Sequence, residues 1–330
     1  VVGVDIANDL AGLQDRMDPF DAALVPGILH DALGEKAAEL TELSAPIAAA
    51  SIAQVHKART ADGRDVAVKI LRPDVERRIA RDIRTLSLGA SLAERFAPAS
   101  RRLEPRKFVD TVSRSLMVET DLRLEAAAAS ELSEAAAVAE GYRIPAVDWS
   151  RSSKRVLTTQ WIDAIPLSDI ERVAESDLDR PALATRLTRA FLATALDRGV
   201  FHADMHAGNL FAGEDGTVWA VDFGIMGRVD WKTRLFLADM LIGFLSRDYQ
   251  KVADVHFDAG FVPPYKSRDA FCQALRAIGE PLLDRPLNEI SVGRLLAHLF
   301  QTTEDFDMQT QPDLLLLQKT MLVAEGVGRS

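Results

Sequence analysis

Cysteine is almost missing from this chain. Cys272 stands alone among 330 residues, so no intrachain disulfide can form and a reducing compartment fits the composition. Basic residues are in deficit: 39 Lys and Arg stand against 49 Asp and Glu, a formal net charge of −10. Affinity for nucleic acid in general rests on basic contacts to phosphate, so a general nucleic-acid binder is excluded. No window reaches the ~18–20 consecutive apolar residues that cross a bilayer. Nor does a positively charged segment lead into a signal-like apolar run. There is no internal repeat and no low-complexity linker. The chain opens at Val1 rather than Met and closes abruptly on Gly326-Val-Gly-Arg-Ser330, which reads as a trimmed piece of a longer protein. The absence of an anchor therefore says little about the whole protein.

What is present suits one large or two modest domains, and a 48% hydrophobic content fills a core. Charge is uneven. From Lys57 to Lys107, 14 basic residues face 7 acidic ones. The runs Arg77-Arg78, Arg81, Arg84 and Arg101-Arg102, Arg106-Lys107 read either as the solvated face of a helix or as a surface for acidic lipid headgroups and phosphates.

Apolar spacing predicts two helices within residues 1–43, on Leu10, Leu13 and Met17 and then on Leu24, Ile28, Leu29 and Leu33, parted at Asp18-Pro19. Ile52–Ala58 and Asp65–Ile70 alternate like strands around the turn signal Asp62-Gly63, which predicts a β-hairpin. Arg72-Pro73 ends it and opens a helix over 75–96. A second helix is predicted over 105–132, strands over 142–147 and 155–161, and a nearly all-helical stretch beyond Ser168. One further hairpin interrupts that stretch, with strands 210–212 and 218–221 joined at Asp215-Gly216. The organisation is therefore α+β: an N-terminal helical extension (1–43), a small lobe with a sheet (44–162) and a mainly helical lobe (163–330).

The most telling stretch is His202-Ala-Asp-Met-His-Ala-Gly-Asn209, followed by Asp222-Phe223-Gly224. Phosphoryl transfer needs one carboxylate facing the attacking hydroxyl or water, and an amide oxygen plus a second carboxylate holding Mg²⁺ against the phosphates. Asp204, Asn209 and Asp222 supply that set, and the 209–222 hairpin brings Asn209 and Asp222 to one mouth. Lys69, in Val66-Ala-Val-Lys69 at a strand end, suits phosphate neutralisation if a helix carboxylate holds it; by itself the tetrapeptide would mark an edge-strand lysine. Glu119, Asp121 and Glu125 are the candidate carboxylates. On one helix Asp121 and Glu125 share a face, with Glu119 about 160° from Asp121; one pairs with Lys69 and another faces the site. The loop expected to cover phosphates is Pro46-Ile-Ala-Ala-Ala-Ser-Ile-Ala-Gln54, which has no glycine and should be stiffer than a glycine loop. The His202-x-Asp204-x-His206 spacing also suits zinc, but no second His/Cys cluster stands nearby. Support of the loop by histidine hydrogen bonds is the simpler reading. His206 occupies the place where such loops usually carry a cation.

Taken together, Ile47–Val55, Val66–Pro73, the Glu119-x-Asp121 pair and His202–Asn209 resemble the UbiB/ADCK group of atypical protein-kinase-like proteins. Ala259–Pro264, Phe306–Pro312, Leu317–Thr320 and Glu325–Arg329 resemble its bacterial members, so the likeness spans nearly the whole chain. It implies a bilobal kinase-like fold, ATP and Mg²⁺ as cofactors, and support of ubiquinone (coenzyme Q) biosynthesis. It also implies association with the cytoplasmic face of the bacterial inner membrane. Its expected partners are ubiquinone-biosynthesis enzymes, or lipid and quinone intermediates, rather than nucleic acid. By that resemblance Ile47, Ala48, Ala49, Ala50, Ser51, Ile52, Ala53, Gln54 and Val55 contact ATP, and Lys69 binds its phosphates with Glu125 as ion-pair partner. Asp204 is then the catalytic aspartate, Asn209 and Asp222 are the metal ligands, and Glu119 and Asp121 form a regulatory wall of the site. The family's N-terminal Lys-x-Gly-Gln element and C-terminal membrane region are not in this sequence. Gln160 stands where a hinge glutamate is common. Family members act as ATPases more than as established protein kinases. Two other readings remain at this stage: a nucleotide-binding scaffold without turnover, and a phosphotransferase of the aminoglycoside or choline kinase type.

Overall fold

Alternation along one strand organises the first half of the molecule. A computed structural model describes residues 17–96, 105–283 and 302–308, with Leu317 and Thr320. In it β3 (Ala53–Thr60) and β4 (Asp65–Leu71) form the predicted hairpin, with Gly63 at φ 85° in the turn where a side chain would be strained. Around them lie β1 (Leu40–Thr41), β2 (Ala48–Ala49) and β5 (Val156–Gln160), all antiparallel, in the order β1-β3-β4-β5 with β2 also on β3. Successive side chains point to opposite faces. Val66, Val68 and Ile70 therefore pack with Val156 against Val25 and Leu29 of helix α1 (Val25–Leu33). Each such burial contributes about 1.5–3 kcal/mol.

Lys69 falls on the other face. There Leu71, Ala53 and Leu157 pack against Val75 and Ile79 of helix α2 (Val75–Phe96) and against Leu122 and Ala126 of helix α4 (Leu122–Ala136). Helix α3 (Pro105–Glu119) precedes α4. The single helix expected over 105–132 is therefore two. The break falls at Thr120-Asp121, where the Asp121 carboxylate accepts from the Arg123 N–H (3.1 Å) and starts a new helix. The strand expected over 142–147 is reduced to Tyr142–Arg143 and one bridge, Val147 to Thr159.

The described residues divide into two compact units. The first comprises those up to Glu134, Arg143–Ser176 and Gly208–Gly224. The hairpin Leu210–Ala212 with Val218–Ala220 thus belongs to the sheet-containing unit, paired antiparallel with Ala212 opposite Val218. Ile165–Pro166 adds to its free edge.

The second unit, from Ala135–Tyr142, Asp177–Ala207 and Ile225 onward, is mainly helical. Its helices Arg180–Leu192, Trp231–Leu245 and Tyr249–Asp258 open on Asp179, Asp230 and Asp248, whose carboxylates accept backbone N–H groups of the first turn. Helix Arg268–Leu283 completes a core of Tyr249, Val252, Phe261, Phe271, Leu275 and the single thiol, buried Cys272. The stretch is not helical throughout, because Val200–His202 pairs with Met226–Arg228. Gly227 is required there: a Cβ would fall 2.0 Å from the Phe201 ring. The predicted helical spacing at Leu10 and Leu13, and most of the sequence beyond Leu283, lie outside the described residues.

Candidate active site

In the first unit the geometry gathers around one ammonium group. Lys69 Nζ donates to both oxygens of Glu125 (2.7 and 2.9 Å) and to Asp222 Oδ1 (3.1 Å). The period-2 alternation of β4 aims Lys69 at α4, and Glu125 lies one turn along from the Leu122 contact, on the side facing the sheet. Burial alone would push the Lys69 pKa down, but the attraction of Glu125 and then Asp222 outweighs it and holds the group above its ordinary value. Lys69 is therefore a fixed cation. The Phe223 backbone N–H also hydrogen-bonds to Glu125, so one carboxylate ties α4, β4 and the Asp-Phe-Gly segment together.

Asp222 sits at φ 62° with its side chain half exposed. Val221 N–H donates to Asn209 O (2.9 Å), which closes the hairpin mouth and sets buried Asn209 beside the segment carrying Asp222. Glu119 ends α3 and joins the same electrostatic cluster. Its carboxyl lies above the usual range, first because it is half-buried and then because Asp222 repels it, with Lys69 opposing. The C-terminal end of a helix disfavours a carboxylate further. Three carboxylates thus surround one lysine.

Asp121 is elsewhere. Besides capping α4 it receives Arg123 Nε and Nη2 (2.9 and 2.6 Å), and it lines a surface recess with Glu76, Met117, Val118 and Lys154. The helix-face argument that paired it with Glu125 fails because residue 121 precedes the helix. Gln54 is fully buried, and its side chain bonds to protein groups at both ends. Ile47, Ala48, Ala50 and Ser51 are exposed, Ala49, Ile52 and Val55 are half-buried, and Ala53 is buried. The turn is closed by Ala50 N–H to Ala53 O (2.8 Å), and none of 46–55 has a positive φ. This explains how the loop forms without glycine. Gln160 reaches the backbone N–H of Ala146 (3.5 Å).

Asp204 belongs to the second unit, on the turn after Val200–His202. Its N–H donates to His202 Nδ1 (3.1 Å), and Ala203 O accepts from Thr320 Oγ1 (3.1 Å). His202 thus supports the loop, with its proton on Nε2. His206 Nε2 lies 3.7 Å from Asp204 Oδ2, an ion pair when the imidazole is protonated. Among the described residues no three His, Cys, Asp or Glu side chains are arranged to hold a metal by themselves. Mg²⁺ does not need that: it keeps waters and takes one or two protein oxygens plus phosphates. The amide of Asn209 and the carboxylate of Asp222 fit such a role, and the excess of carboxylates over lysine favours a divalent cation.

The raised pKa of Glu119 has a consequence for stability. Folding disfavours its charged form, so stability falls as pH rises from the unfolded value through the folded one. Glu119→Gln is expected to raise the melting temperature of the ligand-free protein by ~1–2 °C near neutrality. The gain should vanish below about pH 4, where the acid is protonated in both states. Calorimetry across pH checks this, and a gain that persists at low pH would contradict it.

A lysine on a curled antiparallel sheet held by a helix carboxylate, with a hairpin leading into Asp-Phe-Gly, defines the kinase-like class of α+β proteins. Residues 12–256 match the ABC1 atypical kinase-like domain, and residues 275–330 match the UbiB helical domain. The chain belongs to the ABC1/UbiB family of atypical kinase-like proteins. The probable protein kinase UbiB of Pseudomonas aeruginosa is 40% identical over 332 residues, covering 98% of this chain and 62% of the relative. That of Xylella fastidiosa is 37% identical over 337 residues, covering 100% and 61%. The chain thus spans about three fifths of the length of these curated relatives. Among solved structures, the complex of Mycobacterium tuberculosis Rv3197 with erythromycin superposes with a TM-score of 0.71 at 22% identity, covering 99% of this chain and 82% of that one. The likeness is one of fold. No helix among the described residues is long and apolar enough to cross a membrane.

Proposed function

We propose that this chain binds Mg·ATP and acts as an ATP-dependent phosphotransferase or ATPase in support of ubiquinone biosynthesis. The observation that carries the nucleotide reading is the Lys69–Glu125–Asp222 triad: a permanently charged lysine, braced by a buried carboxylate and aimed at the aspartate of Asp-Phe-Gly. In this reading Lys69 neutralises nucleotide phosphate oxygens, which requires Glu125 to hold it in place. Asn209 and Asp222 would hold Mg²⁺, which when bound neutralises charge on the transferring phosphoryl group. The exposed turn 47–51 offers backbone to the phosphates. By the family resemblance, Asp204, whose loop is held through His202, would accept the proton of the attacking hydroxyl or water. The quinone context rests on the family resemblance and on the UbiB name of the relatives. The proposed partners are biosynthetic enzymes or lipid and quinone intermediates at a membrane surface.

Wild-type protein is expected to melt at higher temperature with Mg·ATP than with either component alone, and to release phosphate. Asp204→Asn should keep the thermal shift and lose turnover by at least about a hundredfold, the usual scale of general-base catalysis. No thermal shift in wild type refutes nucleotide binding. Full rescue of a ubiquinone-deficient strain by Asp204→Asn refutes catalysis as the essential role.

A further inference from the structure

The chain leading into the sheet lies against the alanine-rich turn, joined to it by two direct hydrogen bonds and by one bridge through Arg72. Met17 N–H donates to Ala49 O (3.3 Å). Arg72 Nη2 donates to Asp18 O (2.8 Å), while its Nε donates to Ala50 O (2.9 Å). Phe20 N–H donates to Gln54 Oε1 (3.0 Å). Behind Gln54 the network continues: its Nε2 meets His56 Nε2 (2.9 Å), and His56 Nδ1 meets Ser44 O (2.9 Å). A carbonyl only accepts, so His56 carries its proton on Nδ1 and accepts from the Gln54 amide at Nε2. Every bond in the chain then has one consistent direction. Arg72 N–H also donates to Ile52 O (2.8 Å), so this residue alone grips the turn at two carbonyls and the leading segment at a third.

Two details exceed what packing requires. Gln54 and His56 are 0% and 1% exposed on a strand where apolar residues would serve, and Arg72 is 8% exposed. The Arg72 hydrogen-bond partners are carbonyl oxygens rather than a carboxylate, so its charge is not cancelled at the point of contact. Burying a guanidinium is costly. Here the cation is fixed at Ala50, in the turn whose backbone would face phosphate, and it adds to the positive potential there.

We propose that Arg72 and Gln54 are positioning residues for a phosphate-bearing ligand, holding the alanine turn in its working shape by lacing it to residues 17–20. The inference rests on the nucleotide reading above and adds a second layer to it. Neither side chain touches ligand. Arg72 sets the turn's carbonyls and its field, and Gln54 sets the distance between turn and leading segment. The stiffness of a glycine-free loop is then shared with the segment laced to it.

Hydrogen exchange on the wild-type protein is the first test. Adding Mg·ATP should slow exchange at the amides of Met17 and Phe20 together with that of Ala50. Slowing in the turn without slowing at 17 and 20 overturns the inference. Arg72→Met and Gln54→Leu supply the second test, read by titration with ATP and with adenosine. ATP affinity should fall about tenfold, the worth of one charged or buried hydrogen bond, while adenosine affinity stays unchanged. Arg72→Lys should recover part of the loss. Unchanged ATP affinity, or equal losses for ATP and adenosine, overturns the inference while leaving the nucleotide reading intact. Failure of the wild type to bind Mg·ATP overturns both.

Discussion

Lys69→Ala is expected to lower folding stability by about 3–5 kcal/mol, the cost of stripping one partner from a buried ion pair. The scale follows from the surroundings. Glu125 is 9% exposed and loses both of its short bonds to Nζ, while Asp222 and Glu119 remain as negative neighbours. For a protein of this size the melting temperature should drop by roughly 10 °C. The contribution of Lys69 has a definite upper limit in pH. The folded pKa of Lys69 is raised, so its stabilisation is complete below about 10.4, the value of a free lysine, and is lost only as pH climbs through the folded value. Nucleotide binding should vanish as well, and the two losses are separable. Lys69→Ala combined with Glu125→Gln removes the stranded carboxylate and should recover much of the stability, yet none of the Mg·ATP shift. Equal melting temperatures for wild type and Lys69→Ala would refute the account of the ion pair. Nucleotide binding by the double variant would refute the role of the lysine.

Asp222→Asn should do the opposite: little to stability, nearly everything to Mg-dependent binding. The backbone at residue 222 is left-handed, at φ 62°, and asparagine tolerates that region better than most residues. The carboxylate is 51% exposed and the bond it accepts from Lys69 is secondary to the two that Lys69 donates to Glu125, so the stability change should stay within about 1 kcal/mol. What is removed is the negative oxygen proposed for Mg²⁺. Asp222→Ala loses the same charge but adds about 1 kcal/mol of left-handed backbone strain. Calorimetry with and without Mg·ATP distinguishes the two contributions. A full ligand-induced shift in Asp222→Asn would exclude residue 222 as the metal-holding carboxylate.

The sheet was readable because Val66, Val68 and Ile70 alternate strictly and Asp62-Gly63 marks the turn. The hairpin at Asp215-Gly216 was readable for the same reason, and with it the meeting of Asn209 and Asp222. The break at Thr120-Asp121 was missed because apolar spacing runs through it from Leu116 to Leu122, and only the capping aspartate signals a new start. With the phase reset, Asp121 leaves the site and Glu119 stays. The pairing of Val200–His202 with Met226–Arg228 left no pattern, since three residues are too few to show alternation. Spacing left three carboxylates open as partners of Lys69, and resemblance selected Glu125, which the geometry bears out. Gln54 is the instructive case. A polar residue at the end of a phosphate-loop motif reads as a ligand contact, and nothing local reveals that its partners are Phe20 and His56.

The solitary thiol, finally, is a built-in reporter. Cys272 sits in the helical unit's core with Phe271 and Leu275, and the other unit offers no competing sulfhydryl. A thiol reagent therefore labels only molecules in which that core has opened, and its rate measures opening of one unit alone. Set beside whole-protein melting, that rate shows whether damage at the lysine in the sheet stays local or loosens the helices as well, without a single engineered probe.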